Sequence, residues 1–232
     1  MRAIKVCLAG LIIFGFAGPA LAERIAIIGT GQVAGALGPE FSRLGHTIVY
    51  GSRDPDRQDV QALVARTGSD ASATTPADSV VGADIVVLAV PGLVVDTVVE
   101  SLGNLDAKIV IDPTNPLVRD DSGRFALQTD SSNGELIQRL APGAQVVKAF
   151  NTLNWRTMVD PDSAGGPVTV PLAGNSNAAK QVVAGLVEGL GLEALDVGPI
   201  EHARHVEGML ILWINNRFAG GEAFEYHLRP AD

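Results

Sequence analysis

Two glycines and an alanine follow the apolar run at residues 25–28, in the segment GTGQVA. Gly29, Gly31 and Ala34 fit the spacing G-x-G-x-x-G/A. In that spacing the first glycine permits a tight turn, the second lets the backbone approach an anion, and the small third residue lets helix pack on strand. The N–H groups at the start of the following helix then point at the anion. The segment predicts pyrophosphate binding, with a plain strand-to-helix turn as the alternative.

A second candidate segment, VYGSRDPDR, ends the next apolar run. At this position of dinucleotide-binding units a carboxylate holds a ribose 2′-hydroxyl, whereas cationic donors hold a 2′-phosphate. Ser52 and Arg53 stand there, and Arg57 follows one turn later. A guanidinium binds phosphate through two parallel hydrogen bonds, and a hydroxyl adds a third. The segment therefore favours NADP(H). The alternative is that the two arginines pair with nearby carboxylates on a solvated surface: Asp54, Asp56 or Asp59.

Apolar runs of strand length alternate with segments of helical spacing. The runs span residues 24–28, 47–50, 84–90, 108–111 and 145–149. Such alternation is typical of βαβ units. Because the runs are apolar on both faces, helices must cover the sheet above and below. The sequence predicts a Rossmann-like, doubly wound α/β fold with a mostly parallel sheet, which binds ligands at the carboxyl ends of its strands.

The rest of the chain predicts a small C-terminal α/β extension, loosely 151–232, of a single domain that spans 23–232. We expect a strand at 168–173 that is followed by a helix and a second strand, at 178–190 and 192–196. Pro171 places the first of these strands near a sheet edge, because proline cannot donate to a strand ladder.

The last segment, 202–218, has the spacing of an amphipathic helix. Its broad apolar stripe consists of Val206, Met209, Leu210, Trp213 and Ile214. The stripe packs either on the sheet or against a second copy of the chain. We expect a homodimer, with Trp213 in its interface.

The first 22 residues have the pattern of a cleavable export signal. Arg2 and Lys5 precede an apolar run, and small residues stand before Glu23. We expect cleavage after Ala22 and a periplasmic or secreted mature chain, with a cytoplasmic protein as the alternative. The run has about half of the roughly 20 residues that a spanning helix needs, so no membrane anchor is expected in the mature form. Cys7 is the only cysteine, and its loss would exclude disulfides, Cys-ligated metal and cysteine catalysis.

The chain is acidic. Its formal net charge is −9, and without Arg2 and Lys5 it carries 15 basic and 26 acidic residues, a net charge of −11. Such a field repels nucleic acid and anionic lipid surfaces, so we expect neither as a partner. A phosphate-bearing ligand must be held by a local cluster of donors.

Other candidate constellations are weaker. His202 and His205 can share a helix face, but no third ligand stands nearby, so no metal site is predicted. Arg204 can reach an acidic acceptor or pair with Glu201 or Glu207 three residues away. The segment GNSNA, residues 174–178, is typical of a helix N-cap rather than of a nucleophile.

Six segments together resemble a known family: GTGQVAGAL, LGHTIVYGSR, VVLAVP, DPTNP, VVKAFNT and LDVGPIEHAR. They are similar to the NADPH-dependent reductases of coenzyme F420, an 8-hydroxy-5-deazaflavin, and to the nucleotide domain of transmembrane ferric reductases. The Rossmann domain is of the type also found in pyrroline-5-carboxylate reductase. The resemblance implies hydride transfer between NADP(H) and a flavin-like ring, either F420 or a flavin such as FMN or FAD, with onward ferric reduction as an extension.

The resemblance also implies roles for individual residues. The residues that it implies for binding the 2′-phosphate are Thr30, Ser52, Arg53 and Arg57, and those for the pyrophosphate loop are Gly29, Gly31, Gln32 and Val33. The residues that it implies beside the nicotinamide ribose are Ala89, Val90 and Pro91, and those at the rim of the ring site are Ala149, Phe150, Asn151 and Thr152.

Hydride transfer between stacked rings demands orientation more than a proton carrier, so no catalytic acid is assigned. Asn151 and Thr152 are candidates for orienting the carboxamide or the acceptor, with a helix or turn cap as the alternative. A different class of function also fits the export signal. The chain can be an exported NADP(H)-binding sensor or scaffold that lacks chemistry.

Overall fold

The computed structural model describes residues 22–128, 131–218 and 220–229. The export-signal prediction therefore lies almost entirely outside the described residues. The strands are β1 Arg24–Ile28, β2 Thr47–Gly51, β3 Ser72–Thr74, β4 Ile85–Leu88, β5 Ile109–Asp112, β6 Leu117–Arg119, β7 Phe125–Leu127, β8 Gln145–Lys148, β9 Thr169–Gly174 and β10 Glu193–Gly198. The helices are α1 Gln32–Arg43, α2 Gln58–Thr67, α3 Pro76–Ser79, α4 Val95–Ser101, α5 Asn133–Leu140, α6 Asn177–Gly189 and α7 Ala203–Phe218.

Eight strands form one sheet in the order β10-β9-β8-β5-β4-β1-β2-β3. Six neighbouring strands of this sheet are parallel to one another: β3, β2, β1, β4, β5 and β8. Strand β9 runs antiparallel to β8, and β10 runs parallel to β9. The chain reverses its direction of winding between β1 and β4, which is where a doubly wound sheet binds its ligand. The Rossmann-like α/β fold is confirmed.

Helices cover both faces of the sheet, as apolar strands require. One core cluster joins α1, α2 and α6 to one face and includes Phe41 and Val183. The other joins α4 and α5 to the opposite face and includes Val99 and Ile137. Alternate residues of each strand point to opposite faces, so neighbours such as Ile27 and Ile28 belong to different clusters.

The C-terminal extension continues the same sheet through β9 and β10. Pro171 lies one strand in from the edge, in β9. It is tolerated there because β9 pairs with β8 only at Ala173 and Gly174, so Pro171 lies beyond that pairing. Ser176 caps α6, and its Oγ accepts a hydrogen bond from the Ala179 N–H at 3.2 Å, as the sequence predicts.

The apolar stripe of α7 packs within its own chain. Trp213 is only 5% exposed, and its Nε1 donates to Glu225 Oε2 at 3.2 Å. The expectation that Trp213 lies in a dimer interface is wrong, because the segment after α7 folds back over it. Leu212 and Phe218 are instead the exposed apolar residues of this helix, at 61% and 66%. Within the ranges that the structure describes, no helix has both the length and the apolarity to cross a membrane.

Candidate nucleotide and acceptor site

The glycine turn lies where the ends of β1, β2 and β4 meet. Gly29 has a φ of +106°, a backbone conformation that side chains disfavour. A Cβ at Gly29 would lie 2.3 Å from the Ala89 carbonyl oxygen, and the Gly29 N–H donates to the Gly51 carbonyl at 2.9 Å. Glycine is therefore required at Gly29 by the fold itself, whether or not a ligand binds.

Gly31 differs from Gly29 because the fold does not require it to be glycine. It is the N-cap of α1, and no side chain caps this helix start. A Cβ at Gly31 would meet no atom within 4 Å. The first N–H groups of α1, from Gln32 and Val33, thus have no side-chain cap, and there is open space beside Gly31. An uncapped helix start beside a glycine is a ready binding place for an anion, so the residues fit a pyrophosphate.

The residues after β2 approach the glycine loop. Arg57 Nη2 donates to Thr30 Oγ1 at 3.4 Å, across 27 positions of sequence. Ser52 is 5% exposed, and its Oγ donates to the Asp54 carbonyl at 3.0 Å. Arg53 is exposed, and its guanidinium contacts no carboxylate among the described residues. Two of the four predicted contacts of a 2′-phosphate, Arg57 and Thr30, therefore touch, and the other two lie in the same segment between β2 and α2 as Arg57.

Ion pairing, the alternative for this segment, holds for one of its two arginines. Arg57 Nε donates to Asp59 Oδ1 at 2.5 Å, and both side chains are at least half exposed. The hydrogen bond from Arg57 holds the pKa of Asp59 below its usual value. An exposed pair of this kind is worth little free energy in water. A phosphate dianion can compete for the same guanidinium.

The predicted acceptor end lies at the carboxyl ends of β4, β5 and β8. Pro91 is exposed, Ala89 and Val90 are half-buried, and Ala149 is fully buried. Phe150 is buried with a φ of +62°, which is strained for an aromatic residue. A cavity of about 290 Å³ opens beside this edge. Its lining includes Gly92, Leu93, Pro116, Asn133, Leu136 and Arg139.

Asn151 and Thr152 are buried just below this edge, at 3% and 1% exposed. Asn151 Nδ2 donates to Asn115 Oδ1 at 3.1 Å and to the Val206 carbonyl at 3.2 Å. Neither residue caps a local turn, so the capping alternative is wrong. Asn151 Oδ1 and Thr152 Oγ1 have no hydrogen-bond partner within the described chain. Contact of these two residues with a ring stays a prediction.

A buried charged triad, which no sequence motif predicts, lies behind the same strand ends. Lys148 Nζ donates to Asp112 Oδ2 at 2.8 Å, to Glu207 Oε1 at 2.6 Å and to the Thr114 carbonyl. All three charged side chains of the triad are fully buried. Burial raises the pKa of Glu207 against the opposing effect of Lys148. A sequence signal for this triad exists, because each member is a charged residue within an apolar segment. Asp112 and Lys148 end apolar strands, and Glu207 lies in the apolar stripe of α7.

The remaining candidates are Arg204 and the histidine pair His202 and His205. Arg204 forms an ion pair with Glu135 on α5, not with Glu201 or Glu207, because α5 packs against α7 and presents its carboxylate. The rings of His202 and His205 lie 6.1 Å apart. In residues 22–128, 131–218 and 220–229 no group of three metal-ligating side chains occurs.

The fold defines the class: a doubly wound α/β domain of the dinucleotide-binding type. Residues 24–116 match the family described as NADP oxidoreductase, coenzyme F420-dependent. A crystal structure from Arthrobacter sp. FB24, assigned as an F420-dependent NADP-reductase, superposes with a TM-score of 0.81 at 33% identity, over 90% of this chain and all of the other. The chain belongs to this family and is an NADP-dependent oxidoreductase.

Two sequence relatives mark the breadth of this similarity. The F420-dependent NADP reductase of Methanothermobacter thermautotrophicus is 28% identical over 207 residues, which cover 83% of this chain and 88% of the relative. Metalloreductase STEAP3 of Rattus norvegicus is 28% identical over 192 residues, which cover 82% of this chain. The chain spans only 37% of the length of that metalloreductase.

Proposed function

We propose that the chain binds NADPH along the carboxyl edge of its sheet and delivers a hydride to coenzyme F420. The observation that carries the proposal is the contact between Arg57 and Thr30, which joins the end of β2 to the glycine loop. It places cationic and hydroxyl donors beside an uncapped helix start, and a 2′-phosphate and a pyrophosphate need these two sites side by side.

Binding is divided among three groups of residues. Arg53, Arg57, Ser52 and Thr30 hold the 2′-phosphate, and the N–H groups at the start of α1 hold the pyrophosphate. Ala89, Val90 and Pro91 at the end of β4 border the nicotinamide ribose. The net charge of −9 opposes a phosphorylated ligand, so these local donors must provide the whole attraction.

The chemistry comes from the bound nucleotide, which supplies a hydride from its nicotinamide ring. The chain contributes distance, orientation and exclusion of water. The lining of the cavity beside Gly92 combines apolar residues, such as Leu93 and Leu136, with polar ones, such as Arg139, so it can contact both the face and the polar edge of a flat ring. The family match favours the deazaflavin F420 as the acceptor, and FMN and FAD serve as comparison acceptors.

The test is stopped-flow oxidation of NADPH by the purified chain with F420, FMN or FAD, alongside calorimetric titration with NADPH and NADH. We expect NADPH to bind more tightly than NADH and to be oxidised fastest by F420. Arg53→Gln should weaken NADPH binding, whereas the control Arg43→Gln, at the far end of α1, should not. NADPH binding without transfer to any acceptor would favour the sensor or scaffold instead.

Onward ferric reduction is a second candidate, favoured by the match to the rat metalloreductase. Its test is ferrous iron release from ferric citrate, with a chelating dye as reporter, in the presence of NADPH and FMN. Iron reduction that needs both the chain and NADPH would support it. Equal reduction by free reduced FMN would contradict it.

We also propose that the chain is exported to the periplasm with its first 22 residues removed, and that it forms a homodimer. Mass spectrometry of the native N-terminus tests the first point. An N-terminus at Glu23 is expected, and a retained Met1 would favour the cytoplasm.

A further inference from the structure

We propose that Lys148 is a positioning residue for the nicotinamide end of the site, an inference that rests on the proposed function. Lys148 cannot contact a ligand, because its side chain is fully buried. Its three hydrogen bonds instead tie together the end of β5, the loop after it and α7. A buried lysine with two carboxylates is an expensive arrangement for a fold to keep.

The network of Lys148 extends to the loops that border the site. Asp112 Oδ1 accepts from the Thr114 N–H at 2.8 Å and from Thr114 Oγ1 at 2.7 Å. Asn133 Nδ2 donates to Thr114 Oγ1 at 2.7 Å and to the Gly92 carbonyl at 2.9 Å. Lys148 is thus connected, through the buried residues Asp112, Thr114 and Asn133, to the residue that follows Pro91.

The same network fixes the C-terminal helix. Glu207 Oε1 accepts from Lys148 and, at 2.9 Å, from the Asn133 N–H. One turn of α7 is held further by the bond from Asn151 to the Val206 carbonyl. Three strand-end loops and the starts of α5 and α7 therefore share one set of hydrogen bonds, and Lys148 is the cation at its centre.

Buried oxygen atoms without a hydrogen-bond partner cluster around the network of Lys148. The described chain holds four buried side-chain polar atoms without a hydrogen bond, and three of them belong to Asn151, Thr152 and Glu207. Groups of this kind destabilise a fold and are retained where geometry matters for function. The strained backbone of Phe150, two residues after Lys148, lies in the same place.

The test compares Lys148→Met with a matched control, Lys180→Met. Lys180 is also a buried lysine, with its Nζ 2.7 Å from Asp196, but it lies between α6 and β10 away from the site. We measure thermal stability, affinity for 2′,5′-ADP, affinity for NADPH, and single-turnover hydride transfer from NADPH to F420. The 2′,5′-ADP probe reports the phosphate end alone.

Lys148→Met should leave the affinity for 2′,5′-ADP unchanged but reduce the amount by which NADPH binds more tightly than 2′,5′-ADP. It should also slow hydride transfer by about 100-fold, the effect of a misplacement of roughly 1 Å. Lys180→Met should lower stability only. The double variant K148M/E207Q removes the cation together with one carboxylate, so it should regain stability without regaining the transfer rate. It also provides the measurement if Lys148→Met does not fold.

The outcomes separate the two proposals. A wild-type chain that binds neither 2′,5′-ADP nor NADPH would overturn the proposed function and this inference with it. A wild-type chain that binds and transfers, with a folded Lys148 variant that matches Lys180→Met in NADPH affinity and in rate, would overturn the positioning role alone. Recovery of rate together with stability in K148M/E207Q would show that Lys148 only stabilises the fold.

Discussion

Arg57 Nη2 lies 3.4 Å from Thr30 Oγ1, although 27 positions separate the two residues in sequence. The contact joins the turn after β2 to the loop after β1. These two strands are parallel neighbours, so their carboxyl ends meet at the same edge. The Arg57 guanidinium that contacts this loop also binds Asp59. Substitution of Arg57 or of Asp59 should therefore change nucleotide affinity.

Arg57→Gln should weaken NADPH binding by about 10- to 100-fold, because a charge-assisted hydrogen bond contributes about 1.5–3 kcal/mol. NADH affinity should stay unchanged, since NADH lacks the 2′-phosphate. Asp59→Asn should have the opposite sign and tighten NADPH binding, because it removes a competing carboxylate and a repulsive charge. Calorimetric titration measures both. Equal losses for NADPH and NADH would show that Arg57 does not bind the 2′-phosphate.

Gly29→Ala and Gly31→Ala should separate folding from binding. A Cβ at Gly29 collides with the Ala89 carbonyl and the backbone is left-handed there, so the variant should lose stability. A Cβ at Gly31 meets nothing, so that variant should fold normally but bind NADPH at least about tenfold more weakly, a loss of about 1.4 kcal/mol. Thermal melts with and without NADPH measure both effects. Full NADPH affinity in Gly31→Ala would argue against a pyrophosphate at this loop.

Glu207 should make stability depend on pH. Burial raises its pKa above the ordinary value of 4.5, so the folded chain binds this proton more tightly than the unfolded chain does. Its contribution to the free energy of unfolding is complete below pH 4.5 and is lost as pH rises through the folded pKa.

Glu207→Gln removes this titration, so the difference in stability between wild type and variant should become less favourable to the wild type as pH rises. Urea unfolding at a series of pH values measures it. A difference that is constant with pH would show that Glu207 does not carry a raised pKa.

Trp213→Ala and Leu212→Lys should distinguish packing from assembly. Trp213 is buried and bonded to Glu225, so its truncation should cost about 3–5 kcal/mol of stability. Leu212 is 61% exposed, so a lysine there should leave the melting temperature unchanged. If α7 mediates a homodimer, Leu212→Lys should yield monomers in light scattering. A dimer that persists would place the interface elsewhere.

Local patterns in the sequence predict the strands and helices well. The first strand is predicted at 24–28 and observed at Arg24–Ile28, and the other main strands agree within two residues at each end. The sequence does not predict short elements such as β3 and the β6–β7 hairpin, because a strand of three residues is too short to show a periodic pattern. Pro171 is tolerated inside the sheet because of how far β8 extends, which depends on the pairing of distant strands.

The side-chain partners are the part that the sequence did not predict. Arg204 has two carboxylates at helical spacing but pairs with Glu135, which is 69 positions away. Lys148 is 36 positions from Asp112 and 59 from Glu207. Each pairing depends on which helices and strand ends meet in space, and local spacing carries no information about that.

The sequence by itself determined the alternation of strands and helices, the glycine turn and the cationic segment after the second strand, because these follow from periodicity, backbone freedom and charge within a few residues. Only the tertiary structure decided that Trp213 is covered by its own chain and that Lys148, Asp112 and Glu207 meet behind the acceptor end. The physical reason is that burial and ion pairing are set by contacts between distant segments, which exist only once the sheet and its helices are assembled.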